Sequence, residues 1–228
     1  MNKFKVLFID EEQDSLDDFL DHVEASHVGG DIYPLTELPL GSLDLMTEKI
    51  ISLNPDAIIV DFKLNEIKKD ITYNVPYTGV DLLEAFLSIR EGFPIFILTA
   101  FDDQAINNTE DVNKVYVKNI LHNDMESLPK AKATFLDRVI ASINHYRFKV
   151  RKANEDLVEL LKKRSAGKAS YEDEMKIIKL DSFLEKSIDA KCSIPDEYKA
   201  SSNTKRLVDL LNKVDELINK ITIDSSEV

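Results

Sequence analysis

Tryptophan is absent, cysteine occurs once and glycine six times in 228 residues. The lone Cys192 excludes an internal disulfide scaffold. The four histidines, His22, His27, His122 and His145, fall at no zinc-type ligand spacing, which excludes a structural zinc site. No glycine-rich nucleotide loop occurs anywhere. Long apolar runs are missing too: MNKFKVLFID reaches an acidic cluster after a stretch too short for a signal-peptide core or a spanning helix. The expected address is the cytoplasm, with no membrane contact. What remains is 43% hydrophobic and 31% charged, the balance of a globular protein with a real core.

Charge is unevenly spread. Residues 1–128 carry 9 basic against 25 acidic residues, a net of −16, whereas 129–228 carry 20 against 17, a net of +3. A front half that negative repels phosphate backbones, which argues against nucleic-acid binding, and it has carboxylates to spare for a hard cation.

The front half alternates strands and helices. VLFI after Lys5 is a short apolar run of the kind buried on both faces of a parallel sheet, and it stops at Asp10. Asp14 or Ser15 is the expected cap of a helix with Leu16, Phe19, Leu20 and Val23 on one face, ending at Gly29–Gly30. Ile32–Leu38 contains Pro34 and suits an edge strand. Leu43–Leu53 has helical periodicity, Asn54–Pro55 breaks it, and Ala57–Val60 is a second apolar run ending at Asp61. Val80–Ile89 reads as a helix, Ile95–Leu98 as a strand ending at Thr99, and Val115–Val117 as a strand ending at Lys118. Repeated strand-helix units predict a doubly wound α/β domain with a parallel sheet. Polar residues just past the strand ends then converge on one crevice: Asp10 and Glu11, Asp61, Thr99 and Lys118.

FIDEEQDSL, PDAIIVDFKL, TGVDLLEAF, PIFILTAFDD and VYVKN stand in an order that resembles a response-regulator receiver domain of two-component signalling, over roughly residues 3–150. The resemblance implies a flavodoxin-like, five-stranded doubly wound parallel sheet followed by an all-α extension. It implies that Asp10, Glu11, Asp61 and the backbone carbonyl of Lys63 hold Mg²⁺, which relieves the repulsion among clustered carboxylates. Asp61 would be the phosphoacceptor, with Thr99 and Lys118 contacting the phosphoryl group and Ala100 leaving room for it. No independent enzyme activity is implied beyond self-phosphorylation and dephosphorylation.

The chain departs from the family in several places. A longer stretch than usual separates Asp61 from Gly79, and its extra segment EIKKDITYNVPYT reads either as a docking loop or as a tolerated surface insertion. Asn65 and Asn119 replace common prolines. Where the family often places a switch aromatic, three residues before Lys118, this chain has Val115, with Tyr116 one residue later. Lys63 and Phe101 occupy positions that in the family modulate hydrolysis.

The expected domains are a receiver over 1–130, a long helix over 131–164 and a C-terminal helical region over 165–228. Leu136, Ile143, Val150 and Leu157, with Val139, Tyr146, Ala153 and Leu160, form a heptad seam. Its partner is either a second copy, giving a homodimer, or Leu207, Leu210, Val214, Leu217 and Ile221 of the chain's own end. Residues 147–168 carry eight basic against three acidic residues, read as a coiled-coil flank in preference to a nucleic-acid surface. Tyr171–Ile188 is a further helix bearing Ile177, Leu180, Phe183 and Leu184, and Ile194–Pro195 is a break. His145 has no adjacent acid and reads as a plain helix residue.

The expected function is a phosphorelay switch that accepts phosphate from a histidine kinase or phosphotransfer protein and signals to a downstream protein through its helices. The alternatives are an interaction module that never handles phosphate and a DNA-binding regulator.

Overall fold

The computed structural model describes residues 3–65, 75–99, 115–117 and 134–200. Its elements are β1 (Phe4–Ile9), α1 (Gln13–Ala25), β2 (Ile32–Glu37), α2 (Leu43–Leu53), β3 (Ala57–Asp61), α3 (Gly79–Leu87), β4 (Ile95–Thr99), β5 (Val115–Val117), α4 (Phe135–Ser165) and α5 (Tyr171–Asp189). Contacts divide the chain into two compact units, Met1–Lys149 and Val150–Val228.

In the first unit four strands make a parallel sheet in the order β2-β1-β3-β4, and the three-residue β5 pairs parallel with β4 at the edge. Side chains alternate across a strand, so each run feeds two cores. Leu7, Ile9, Ile58, Val60, Ile95 and Ile97 face Met46 and Ile50 of α2 and Leu82, Leu83 and Phe86 of α3. Val6, Phe8, Ala57, Ile59, Phe96 and Leu98 face Leu16, Phe19 and Val23 of α1 and Phe135, Leu136, Val139 and Ile143 of α4. Helices on both faces explain why these strands are continuously apolar rather than alternating. Each fully buried aliphatic or aromatic side chain contributes about 1.5–3 kcal/mol of transfer free energy. Pro34 is tolerated because β2 is an edge.

Helix ends follow local chemistry. Asn54 adopts the left-handed conformation (φ 47°) that stops α2. Ahead of α3, the Thr78 side chain accepts the Asp81 N–H (3.2 Å), while Asp81 accepts the Thr78 N–H (2.7 Å), a reciprocal capping box. Thr134 and Asp137 repeat it at the start of α4 (2.7 and 3.3 Å). Helix α1 starts at Gln13, behind Glu12 rather than Asp14 or Ser15. It ends at Ala25, four residues before Gly29, because Gly29–Asp31 forms a separate 3-10 turn.

The seam of α4 begins as core, not as coiled coil. Leu136, Val139 and Ile143 are buried in the second-face cluster of the sheet. A heptad pattern and a sheet-facing stripe look the same over two repeats, so that part of the seam already has its partner. Further along, Arg147 donates to Asp56 Oδ1 (2.6 Å) and lies 5.0 Å over the Phe4 ring. Asp56 in turn accepts the Lys5 N–H (2.9 Å).

The second unit contains the end of α4 and all of α5. Gly167 (φ 67°) and Lys168 close the helix by donating to Arg164 and Lys163 carbonyls (2.9 and 3.1 Å), a Schellman turn. Ser170 and Asp173 cap α5, Lys163 pairs with Asp173 (2.5 Å) and Arg164 with Glu174 (3.1 Å). The Lys163 hydrogen bond first, and then those from Ser170, lower the Asp173 carboxyl to a pKa of about 2. Ala153, Ile177 and Ile178 are buried, and Leu180, Phe183 and Leu184 half-buried. Residues Leu207 to Ile221, the other partner expected for the seam, lie outside the described residues. Among the described residues no helix is long and apolar enough to cross a membrane.

Candidate functional site

Asp10 follows β1 directly, Asp61 is the last residue of β3 and Thr99 the last of β4. Register decides how these ends meet. Ile9 pairs with Val60, which brings Asp10 to the row of Asp61, and Asp61 pairs with Leu98, one residue before Thr99. Neighbouring strands lie ~4.8 Å apart, so the three ends form one rim. The chain leaves β1 for α1 and β2 on one side and returns through α2 to β3 on the other. The acidic ends therefore lie where the winding reverses, the place where an open parallel sheet leaves a crevice.

The rim is buried: Asp10 is 0%, Glu11 3%, Asp61 4% and Thr99 1% exposed. Carboxylates at that depth need donors or positive charge nearby. Backbone supplies some. Asp10 Oδ1 accepts the Glu12 N–H (3.0 Å), and Asp61 Oδ2 accepts the Lys63 N–H (2.7 Å). Lys63, from which a carbonyl contact was expected, turns its N–H onto Asp61. Lys118, expected one residue past Val117, lies outside the described residues, as do Ala100, Phe101 and Asn119.

All of the expected metal donors are oxygens, which suits Mg²⁺ in chemistry. Among the described residues, however, no group of three or more His, Cys, Asp or Glu is gathered so as to hold a metal. A magnesium site that draws on one or two carboxylates and keeps several waters requires less than that. Asp10 and Asp61, brought to one row by the register, are the two carboxylates on which such a site would draw.

Three further residues lie beside the rim, of which only Gly79 stands in a sequence motif, TGVDLLEAF. Glu37 ends β2 opposite Ile9; its carbonyl accepts the Asp10 N–H (3.4 Å) and its carboxylate pairs with Lys49 (3.0 Å). Gly79 donates to the Phe62 carbonyl (2.9 Å), closing the chain between Phe62 and Gly79 into a loop whose ends touch. Tyr77, 2% exposed, donates to the Leu40 carbonyl (2.6 Å). Reading the extra segment as a surface insertion misses its return: residues 66–74 lie outside the described residues, but Leu64, Val75 and Tyr77 are buried in the first-face core. The alternating apolar positions 75 and 77 are the signal that could have found this.

On β5 the half-buried Tyr116 packs against Phe135 (centroids 4.9 Å) and Phe96 (6.0 Å). It belongs to the second-face cluster, against the start of α4.

No family model and no curated protein matches the chain. Solved structures overlap it partially. A yeast Spc42 trimeric coiled-coil segment fused to another protein is 19% identical, with 71% of this chain and 99% of that one covered at a TM-score of 0.42. The RcsB response regulator of Salmonella typhimurium is 14% identical, covering 81% and 93% at 0.43. The anti-anti-sigma factor PhyR of Bartonella quintana is 14% identical, covering 68% of this chain and 52% of its own at 0.39. The strand order and the two-faced core define the fold.

Proposed function

We propose that the chain is a receiver-type response regulator that takes a phosphoryl group onto Asp61. The observation that carries this reading is the buried rim itself: Asp61 ends a central strand in the row of Asp10, with Glu11 and Thr99 beside it, at the reversal of a 2-1-3-4-5 sheet of flavodoxin-like order. In the proposed reaction an Asp61 carboxylate oxygen attacks the phosphorus of a phosphohistidine on a kinase or phosphotransfer protein. The P–N bond breaks, the P–O bond forms, and the departing imidazole takes a proton from solvent. Asp10 and Asp61 would hold Mg²⁺, with Glu11 and the Lys63 carbonyl acting directly or through water, and the ion would supply charge neutralisation for the transferred group. Thr99 would donate its hydroxyl to the phosphoryl oxygens and Lys118 its ammonium. The chain would do no chemistry on other molecules. Output would pass through protein contacts of the helical extension, including a homodimer along the part of α4 beyond Ile143.

The test is Mg²⁺-dependent labelling of the full chain by acetyl phosphate. Wild type is expected to label and Asp61→Asn to remain folded and unlabelled; a wild type that takes no label rejects the proposal.

Two observations favour the second reading, an interaction module that handles no phosphate: the Asp61 carboxylate already accepts the Lys63 N–H, and no three-acid group is drawn together among the described residues. Partner binding unchanged in Asp61→Asn would select it. DNA binding has less support, since Arg147, Lys163 and Arg164 of the basic stretch are engaged with Asp56, Asp173 and Glu174.

A further inference from the structure

We infer that Tyr77 is a positioning residue for Asp61, a tie between the two flanks of the acidic crevice; this rests on the reading of Asp61 as phosphoacceptor. Leu40, which accepts the Tyr77 hydroxyl at 2.6 Å across 37 positions of sequence, lies three residues past Glu37. The Glu37 carbonyl holds the Asp10 N–H. Two residues after Tyr77, Gly79 bonds the Phe62 carbonyl and rests on the backbone of Asp61. One phenol therefore joins the flank of Asp10 to the flank of Asp61.

The residue type supports this role. Tyr77 sits among Val75, Leu64 and Val80 in the first-face core, with the partly buried Leu40 and Leu43 packed against the same cluster. A phenylalanine would fill that volume equally well, whereas a buried hydroxyl is stable only with a partner. Its hydrogen bond fixes Leu40 to the chain entering α3. Errors of about 1 Å in the placing of reacting groups cost up to ~100-fold in rate, so a tie between the two acidic flanks acts on the transfer step as well as on the fold.

Tyr77→Phe keeps the ring and removes the hydroxyl; Tyr33→Phe, at an exposed position on β2, is the control. In the full chain with Mg²⁺ and acetyl phosphate, Tyr77→Phe is expected to label Asp61 roughly three- to tenfold more slowly. Its thermal midpoint should stay close to wild type, and amide exchange over residues 38–43 should be faster. Labelling at the wild-type rate overturns the positioning role whatever the exchange result. If the wild type itself takes no label, the acceptor reading fails separately, and the exchange measurement then judges the tie alone: unchanged protection at 38–43 overturns it, and faster exchange supports it.

Discussion

A β-carbon on Gly79 would stand 2.0 Å from the carbonyl oxygen of Asp61 and 2.9 Å from its carbonyl carbon, so the first residue of α3 rests directly on the backbone of the proposed phosphoacceptor. Backbone on backbone leaves nothing flexible to move aside. The glycine is required by contact rather than by its own backbone dihedrals, since its φ is not positive.

Gly79→Ala should therefore push α3 away from β3 and cost about 1–3 kcal/mol, as other overpacked sites do. Urea unfolding measures the loss, and acetyl phosphate labelling of the same variant should fall with it. An alanine variant as stable and as readily labelled as wild type would mean that the contact yields freely.

Phe135 opens α4 at 2% exposure, with Tyr116 and Phe96 against its ring. Truncating it to alanine empties a core position and should cost about 3–5 kcal/mol. If α4 were instead a free coiled-coil strand at this point, chemical denaturation of the variant would match wild type.

Arg147 joins α4 to the amino-terminal ends of β1 and β3, through Asp56 and the Phe4 ring. The pair is partly exposed, so salt screening limits it to about 0.2–1 kcal/mol, with a similar increment from the ring. Arg147→Ala should lose about 1–2 kcal/mol, and Arg147→Lys should recover only part of it, because a lysine lacks the planar fork. A double-mutant cycle with Asp56→Asn should show non-additivity; strictly additive losses would remove the link.

Asp173 binds its proton less readily folded than unfolded, with its pKa lowered from 3.8 to about 2. A depressed carboxyl supports folding fully above the unfolded value, and that support is lost as pH falls through the folded one. The α4–α5 hairpin should thus weaken between about pH 4 and pH 2, and Asp173→Asn should flatten that limb of a helicity titration by circular dichroism. An acid limb identical in the variant would assign the loss to other groups.

The positions of β1, β3, β4 and β5 were readable because each is a short apolar run closed by a polar residue, whereas β2, with Pro34, Thr36 and Glu37 in it, showed only as an edge candidate. The acidic ends followed from those boundaries alone. Less was readable where partners are distant in sequence. Leu136, Val139 and Ile143 carry a heptad spacing that says a face is buried but not against what, and the sheet that covers them is assembled from residues far away. Val75 and Tyr77 sit in a stretch rich in polar residues, where their alternation hints at a buried face but not at the fold-back to Leu40 that covers it. The T-x-x-D and S-x-x-D caps at Thr78, Thr134 and Ser170 were visible in principle; serine, threonine and aspartate are too common in this chain for the motif to stand out without the helix behind it.

The bond between Gly79 and Phe62 has a consequence for engineering. With both feet already joined, and Lys63, Leu64, Val75 and Tyr77 kept as the anchored ends, a foreign epitope or a reporter tag can be spliced in between positions 65 and 75 without asking the sheet to accommodate a new chain end. The same closure gives evolution a socket in which new recognition sequences can be tried next to the crevice while the surrounding scaffold stays constant.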